Sequence, residues 1–495
     1  MNSKTERGDA VIAKQYKMTT DIPAGIITPD RVETRLGTLK FFDGFPDEAT
    51  VQTVYDNLDF QRGVEAYLSY LPGAQAYALR EGLRSVGVND NQTVGIFETM
   101  MDAKSLVSAP NCESIYCFMW LDLKDGPLVL ESPPNVLGFV NDFWFDYVGD
   151  VGKAGPDHGK GGKYLLLPPD FTGEVPDGYF VFRSATFGNL YFWRGFQVGG
   201  DPRPTVEAIK KFAKVYPLAQ AKNPPPLKFI NLSGQAFNAI AANDFTFFED
   251  INQIVQEEPN SATNPDNLGL LAAIGILKGK PFSPDARMRE ILTEAVAVGN
   301  ATARAILFKS RNKEYFYYPD SAWRTFFIGG SHEFLQDGVR LLDARTAWFY
   351  GGWGITPAMA LKMVGVGSQY ACALVDSEGK LLDGSKTYKV HLPPEIPAKD
   401  FWSLVVYDNQ TRSWLQTDQQ FPSISSNTKD MVINPDSSVD IWFGPTAPMG
   451  YEANWLQTIP GKGWLTMFRL YGPLQSWFDK TWRLGEIEEI GSSRP

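Results

Sequence analysis

Apolar positions along the chain change period three times. From Asp47 to about Gly87 they recur every three or four residues, as in Val51, Val54, Tyr55 and Leu58. That spacing predicts helix, with Pro72-Gly73 as an interruption. Residues 1–47 show little periodicity and read as an arm, so 1–87 is taken as arm plus helices. Between 88 and 203 the text turns short, aromatic and β-branched: "SIYCFMWLDL", "PLVLESPP", "VLGFVNDFWFDYVGDV", "KYLLLPP" and "NLYFWRGF". Strands with turn signals at such spacing predict a β-sandwich. Asp125-Gly126 predicts a hairpin.

From 204 to 344 the pattern is helical again, through "PTVEAIKKFAKVYPLAQ" and two later helices. Asn264 before Pro265 is a helix start, and Ser283-Pro284 repeats it, with Met288, Ile291, Leu292 and Ala295 facing inward. From 345 to 495 strands return in "KTYKVHLPP", "FWSLVVYD", "SVDIWFG" and "GWLTMFRLYGP", with "DSEGK" and "DNQT" as tight loops. They predict a second sandwich or a jelly roll. The expected fold class is therefore mainly β with a helical insert.

Composition narrows the function classes. The 46 Lys plus Arg against 57 Asp plus Glu leave a net charge of −11 with no dense basic run, which argues against nucleic acid. No apolar run looks long enough to span a bilayer. The polar N-terminus carries no secretory h-region, so a cytoplasmic protein is expected, with the periplasm left open. Cys112, Cys117 and Cys372 make no disulfide framework. Oligomeric state is open, a homo-oligomer included.

Candidate chemistry is sparse. "GDVGKAGPDHGKGGKYLLLPPDF" lacks the glycine and Ser/Thr positions of a phosphate loop and runs into a strand, so it reads as a β–β connection. His332-Glu333 has Gln336 where a zinc-binding second His would stand, and G-x-S-x-G is absent. No metal or cofactor is expected, although an all-oxygen Ca²⁺ site stays open. Asp142, Asp146 and Asp150 recur among aromatics; the first two would share a strand face, either as an acid pair or as a polar outer face. Ten of 13 Trp lie at or after Trp323, as core or as ligand platforms.

"APNCESIYCFMWLDLKDGPLVLESPP", "FWFDYVGDVG…GGKYLLLPPDF" and "FRSATFGNLYFWRGF" resemble the bacterial domain of unknown function 1254. "LVDSEGKLLDGSKTYKVHLPP", "FWSLVVYD" and "NWLQTIPGKGWLTMFRLYGP" resemble its companion, domain of unknown function 1214. The resemblance implies an N-terminal immunoglobulin-like β-sandwich, an α-helical block and a C-terminal jelly-roll β-sandwich. It implies no reaction. Its usual N-x-D-T-x-Y stands here as Asn111-Cys112-Glu113-Ser114-Ile115-Tyr116.

Polar residues inside strongly apolar strands mark the expected site, because a buried charge is costly unless paired or used. Glu113 and Asp146 are the catalytic candidates; Asn111, Tyr116, Arg194, Asn454 and Arg469 are the binding candidates. The expected function is a hydrolase acting on a glycan or small molecule in a cleft between the β domains. The alternative is a non-catalytic glycan-binding or surface-interaction protein.

Overall fold

The computed structural model describes residues 17–491. The first sixteen residues of the expected arm lie outside the described residues, and so does the question of a leader there. The fold is mostly β sheets with several helices. It divides into two units, 1–60 and 61–495.

In the first unit the expected arm is partly a small antiparallel sheet, Arg31–Thr34, Gly37–Phe42 and Phe45–Pro46. Its strands are too short and too charged to show alternation, which is why the sequence reads as irregular. Asp47 then caps helix α1 (Glu48–Ser85), accepting the Thr50 amide at 2.8 Å. α1 continues past Pro72 without the expected interruption. Pro removes one hydrogen bond from a helix, but Leu71 and Ala74 on either side are fully buried, and packing holds the turn.

The second unit contains two pairs of sheets. One sheet has six strands in the order Lys228–Asn231, Thr93–Ile96, Ser114–Asp122, Gly188–Phe196, Leu137–Asp142, Tyr147–Gly152. Its partner has four: Phe180–Arg183, Gly162–Leu167, Leu128–Ser132, Lys214–Pro217. Most ladders are antiparallel, with parallel edge strands at Phe180–Arg183 and Lys228–Asn231. Strands Lys214–Pro217 and Lys228–Asn231 come from beyond residue 203 and complete these sheets.

Alternation explains the apolar text. On the strand Ser114–Asp122, Ile115, Cys117, Met119 and Leu121 enter the core between the two sheets. Tyr116, Phe118 and Trp120 point to the opposite face and are equally buried. A strand covered on both faces reads as an unbroken apolar run. Asp125-Gly126 does not close the expected hairpin: the strands before and after it belong to different sheets, so the turn carries the chain between layers.

The C-terminal pair repeats this arrangement. Ser368–Ala373, Trp464–Pro473, Ala398–Asp408 and Ser423–Ser425 form one sheet; Trp455–Gln457, Val439–Gly444, Thr387–Leu392 and Ile487–Ile490 form the other. They enclose Leu404, Phe468, Val390 and Ile441. The second face of the first of these sheets, with Tyr370 and Met467, meets the second face of the six-stranded sheet in one shared core.

Helices fill out that shared core: α1 by Tyr67 and Leu79, α3 (Thr246–Glu257) by Ile251, α5 (Ala286–Phe308) by Val296, and α6 (Leu342–Gly351) by Trp348. Between them α2 spans Arg203–Phe212 and α4 spans Pro265–Ala273, the latter capped by Asn264 as the sequence predicts. α5 is capped by Asp285 rather than Ser283. By length and composition alone α5 could also cross a membrane. Here its Leu292, Ala295, Val296 and Gly299 are buried.

α1 and α5 approach closely because Gly299 offers no side chain; a Cβ there would lie 2.6 Å from the Tyr67 ring. Gly299→Val is expected to lower stability by about 1–3 kcal/mol through overpacking, read as a lower urea midpoint at unchanged slope.

Candidate functional site

The shared core is not wholly apolar. Where the second faces of the six-stranded sheet and the first C-terminal sheet meet, a small chamber of about 30 Å³ remains. Tyr116, Phe192 and Arg194 line it from one side, Tyr370, Met467 and Arg469 from the other, and Trp348, Gly352 and Trp353 close it. Strand periodicity puts them there: 192 and 194, like 467 and 469, are two residues apart and share a face.

Arg469 organises the chamber. Its Nη1 lies 2.9 Å from the Ala109 carbonyl, 2.8 Å from the Pro110 carbonyl and 2.7 Å from the Tyr407 hydroxyl. Its Nε donates to the Tyr471 hydroxyl at 3.1 Å. The Ala109 carbonyl belongs to a residue with φ of 43°, a conformation uncommon without glycine. Such strain persists only where its surroundings over-determine it. Asn111 is fully buried, donates to the Tyr471 oxygen, and accepts the Ser114 hydroxyl at 2.9 Å and the Glu113 amide at 3.2 Å.

Arg194 is different. It is 3% exposed, yet among the described residues its one hydrogen bond is to the Tyr471 oxygen at 3.5 Å. Asn111 and Arg469 already donate to that oxygen, and a phenol has few lone pairs to share. The Arg194 Nε has no partner among the described residues. A second, smaller cavity of about 10 Å³ lies against Arg194, bordered also by Asp150, Thr356 and Ser368.

The electrostatics are lopsided. Two guanidiniums share the chamber, and guanidinium does not deprotonate in proteins. On the Arg469 side the nearby acid is Glu113, whose pKa burial pushes up while the Ser423 hydroxyl and Arg469 pull it back. Its Oε1 accepts from Ser423, and its Oε2 has no partner among the described residues. Burial likewise raises Tyr116, Tyr407 and Tyr471, so these phenols are neutral donors and acceptors. Asp150, bonded to Thr356, is pushed by burial up to about 7.

Of the residues singled out from sequence, Tyr116, Arg194 and Arg469 line the chamber; Asn111 and Glu113 join it through Tyr471 and the loop before the strand. Asp146 does not come to it. The expected continuous strand through "NDFWFDYVGD" breaks at Asp142, which accepts the Trp144 and Asp146 amides and turns the chain, with φ of 55° at Phe145. Asp146 is therefore an exposed turn residue, and it does not share a strand face with Asp142. Asn454 is elsewhere too: fully buried, it spends its amide on the backbone of Val432 and Asp440.

Sequence reading missed Tyr471 and Tyr407. Tyr471 had a signal, two residues beyond Arg469 on one strand face; Tyr407 lies on a neighbouring strand and had none. The glycine-rich stretch after Gly149 forms a turn between strands, with His158 and Gly159 at positive φ. Cys112, Cys117 and Cys372 are free thiols. Among the described residues no three metal-ligating side chains cluster.

Two family models match the chain, in the order of the resemblance. Residues 92–217 match "Protein of unknown function (DUF1254)", and residues 367–475 match "Protein of unknown function (DUF1214)". No curated protein matches the chain. Among solved structures, the VPA0106 protein from Vibrio parahaemolyticus is similar with a TM-score of 0.55 at 17% identity, over 87% of this chain and 100% of that one. An uncharacterized protein from Burkholderia cenocepacia aligns at a TM-score of 0.37 and 13% identity, over 90% of this chain and 98% of that one. The first likeness concerns the fold alone.

Two substitutions separate structure from site. Arg469→Met takes the guanidinium from the Ala109 and Pro110 carbonyls and from two phenols, leaving Pro110 only the Tyr407 hydroxyl and Tyr471 its bonds from Asn111 and Arg194, and is expected to cost about 2–4 kcal/mol in urea unfolding. Arg194→Met removes an underpaired buried charge and is expected to be neutral or stabilising.

Asp150 sets a pH dependence. Its folded pKa of about 7 exceeds the ordinary 3.8, so the folded state holds the proton more tightly. That penalty is absent at low pH and grows until pH passes about 7. The advantage of Asp150→Asn over wild type should therefore widen between about pH 5 and about pH 8, by roughly 2–4 kcal/mol, measured by thermal unfolding.

Proposed function

We propose that the chain is a small-molecule protein that receives a compact anion, a carboxylate, on Arg194 in the chamber between the two inner sheets. The carrying observation is the guanidinium of Arg194: buried, beside a second cation, and among the described residues with an unpartnered Nε and no ion pair. A planar carboxylate accepts two parallel N–H bonds from such a fork. Burial lowers the local dielectric and strengthens that contact. The family matches neither name a ligand nor oppose one.

The hydrolase reading uses the loop that borders the chamber. Its support is Glu113, an acid that burial tends to keep protonated, with Oε2 unpartnered among the described residues and its amide donating to the Asn111 side chain that also meets Tyr471. A proton donor beside a bound carboxylate derivative is general-acid chemistry.

The glycan reading, catalytic or not, fits a different place. Ligand pockets of sugar size and above run to hundreds of Å³, and the chamber is far smaller. An open cleft of about 470 Å³ between the two β regions is lined by Asp102, Lys104, Gln416, Asp418 and Gln420, which offer the amides and carboxylates that hydroxyls use. For the fold, we read the first pair of sheets as an immunoglobulin-like sandwich and the last pair as a jelly roll, since each pair encloses its own core.

Acetate titrated into the full chain at constant ionic strength tests the main reading. A saturable stabilisation is expected, reaching about 2.7 kcal/mol at a hundredfold excess over Kd, and lost in Arg194→Met. Equal, unsaturable responses in both proteins would overturn it.

A further inference from the structure

Among the residues lining the chamber, nearly all are buried; Trp353 is partly exposed, and Ala109 is the other. Trp353 stands in Gly351-Gly352-Trp353-Gly354, between α6 and the segment that follows. Its ring does not rest on the surface. It inserts among four rings, 5.0 Å from Phe192, 5.3 Å from Phe118, 6.3 Å from Phe139 and 6.4 Å from Tyr116. Two of these rings, Phe192 and Tyr116, also flank the Arg194 guanidinium, at 5.7 and 5.9 Å. The seat of the Trp353 ring and the underpaired guanidinium are therefore neighbours in one aromatic cage.

The backbone around Trp353 is pinned. Asn141 donates to the Ile355 carbonyl and accepts its amide, both at 2.8 Å. The Trp348 indole donates to the Gly354 carbonyl at 2.9 Å. Gly354 has φ of 61°, and a Cβ there would meet the Phe139 ring at 2.8 Å. The loop therefore holds its course while the Trp353 side chain, partly in solvent, can leave by rotation about its own bonds. Its departure would join an aryl-sized space to the small chamber.

We infer that Trp353 is a removable plug, and that the ligand is an aryl carboxylate whose ring takes the Trp353 seat while its carboxylate meets Arg194. This rests on the reading of Arg194 as a carboxylate receptor. The cage selects a flat ring: edge-to-face contacts with Phe192 and Tyr116 suit any aromatic of that size. Length is set as well, because ring seat and guanidinium adjoin, which favours a carboxylate on the ring or one carbon away. Benzoate and indole-3-acetate are the probes, benzyl alcohol the neutral control, and acetate the probe without a ring.

Calorimetry on the full chain tests this. Removing the plug removes its competition with the ligand, so W353A is expected to bind indole-3-acetate about tenfold more tightly than wild type does, with no such gain for acetate and no tight binding of benzyl alcohol. If acetate binds both proteins but W353A gains nothing for the aryl acids, the plug is wrong and the carboxylate reading stands. If acetate fails to bind wild type, the carboxylate reading falls and this inference with it.

A second measurement needs no unplugged variant. In wild type labelled with 5-fluorotryptophan, the Trp353 fluorine resonance, assigned through W353F, should move to a solvent-exposed shift on saturation with indole-3-acetate and stay in place with acetate. A resonance unmoved by the aryl acid overturns the proposal.

Discussion

The guanidinium of Arg469 lies 4% exposed in the middle of the molecule and reaches two backbone carbonyls and two phenols. A cation so placed must find acceptors, because desolvating it without them costs several kcal/mol. The acceptors come from both β regions: Tyr407 and Tyr471 from the C-terminal sheet, Ala109 and Pro110 from the loop that leads into the strand Ser114–Asp122. That loop is thereby fixed against the opposite sheet, with Ala109 in a strained conformation and Asn111 aimed at Tyr471. The loop side of the chamber takes its position from this one clamp.

Satisfying Arg469 leaves Arg194 short. Both side chains compete for the Tyr471 oxygen, and Arg469 holds it at 3.1 Å against 3.5 Å. The two cations also repel each other, and each leans on neutral phenols rather than carboxylates. Fold stability alone gives no reason to bury a second arginine there, since an apolar side chain of similar volume would pack at less cost. Buried polar groups left without partners call for a specific explanation. An anion that arrives from outside supplies one.

Much of the fold was legible because the central strands are buried on both faces. Continuous aromatic text between 114 and 122, and between 188 and 196, can hardly be anything else, and Tyr116, Arg194 and Arg469 stood out against it as polar interruptions. Pairing was less legible. Asp125-Gly126 carries a hairpin signature, yet the strands it joins part into different layers, because turn chemistry fixes a reversal and not which edge the next strand finds. Asp142 and Asp146 misled for a related reason: period-2 spacing assumed an unbroken strand, and a capping aspartate broke it. Asn454 was rightly read as a buried polar residue, but a satisfied amide and a functional one look alike in sequence. The α1 helix passes Pro72 because burial outweighs a local penalty.

The chamber also depends on chain outside both matched segments. Residues 92–217 bring Tyr116 and Arg194, residues 367–475 bring Tyr370, Arg469 and Tyr471, but Trp348, Gly352 and Trp353 fall between. That middle piece is tied down from the first region, by Asn141 on the Ile355 backbone and by the Thr356 hydroxyl on Asp150. Two polar groups on adjacent strands of the six-stranded sheet thus hold the cover over a third, Arg194, on its own strand between neighbours. The sheet carries both Arg194 and the anchors of the segment that covers it, so the geometry of one is tied to that of the other. For the proposed ligand this arrangement offers a floor and a frame held by hydrogen bonds, with Trp353 as the side chain that would have to yield.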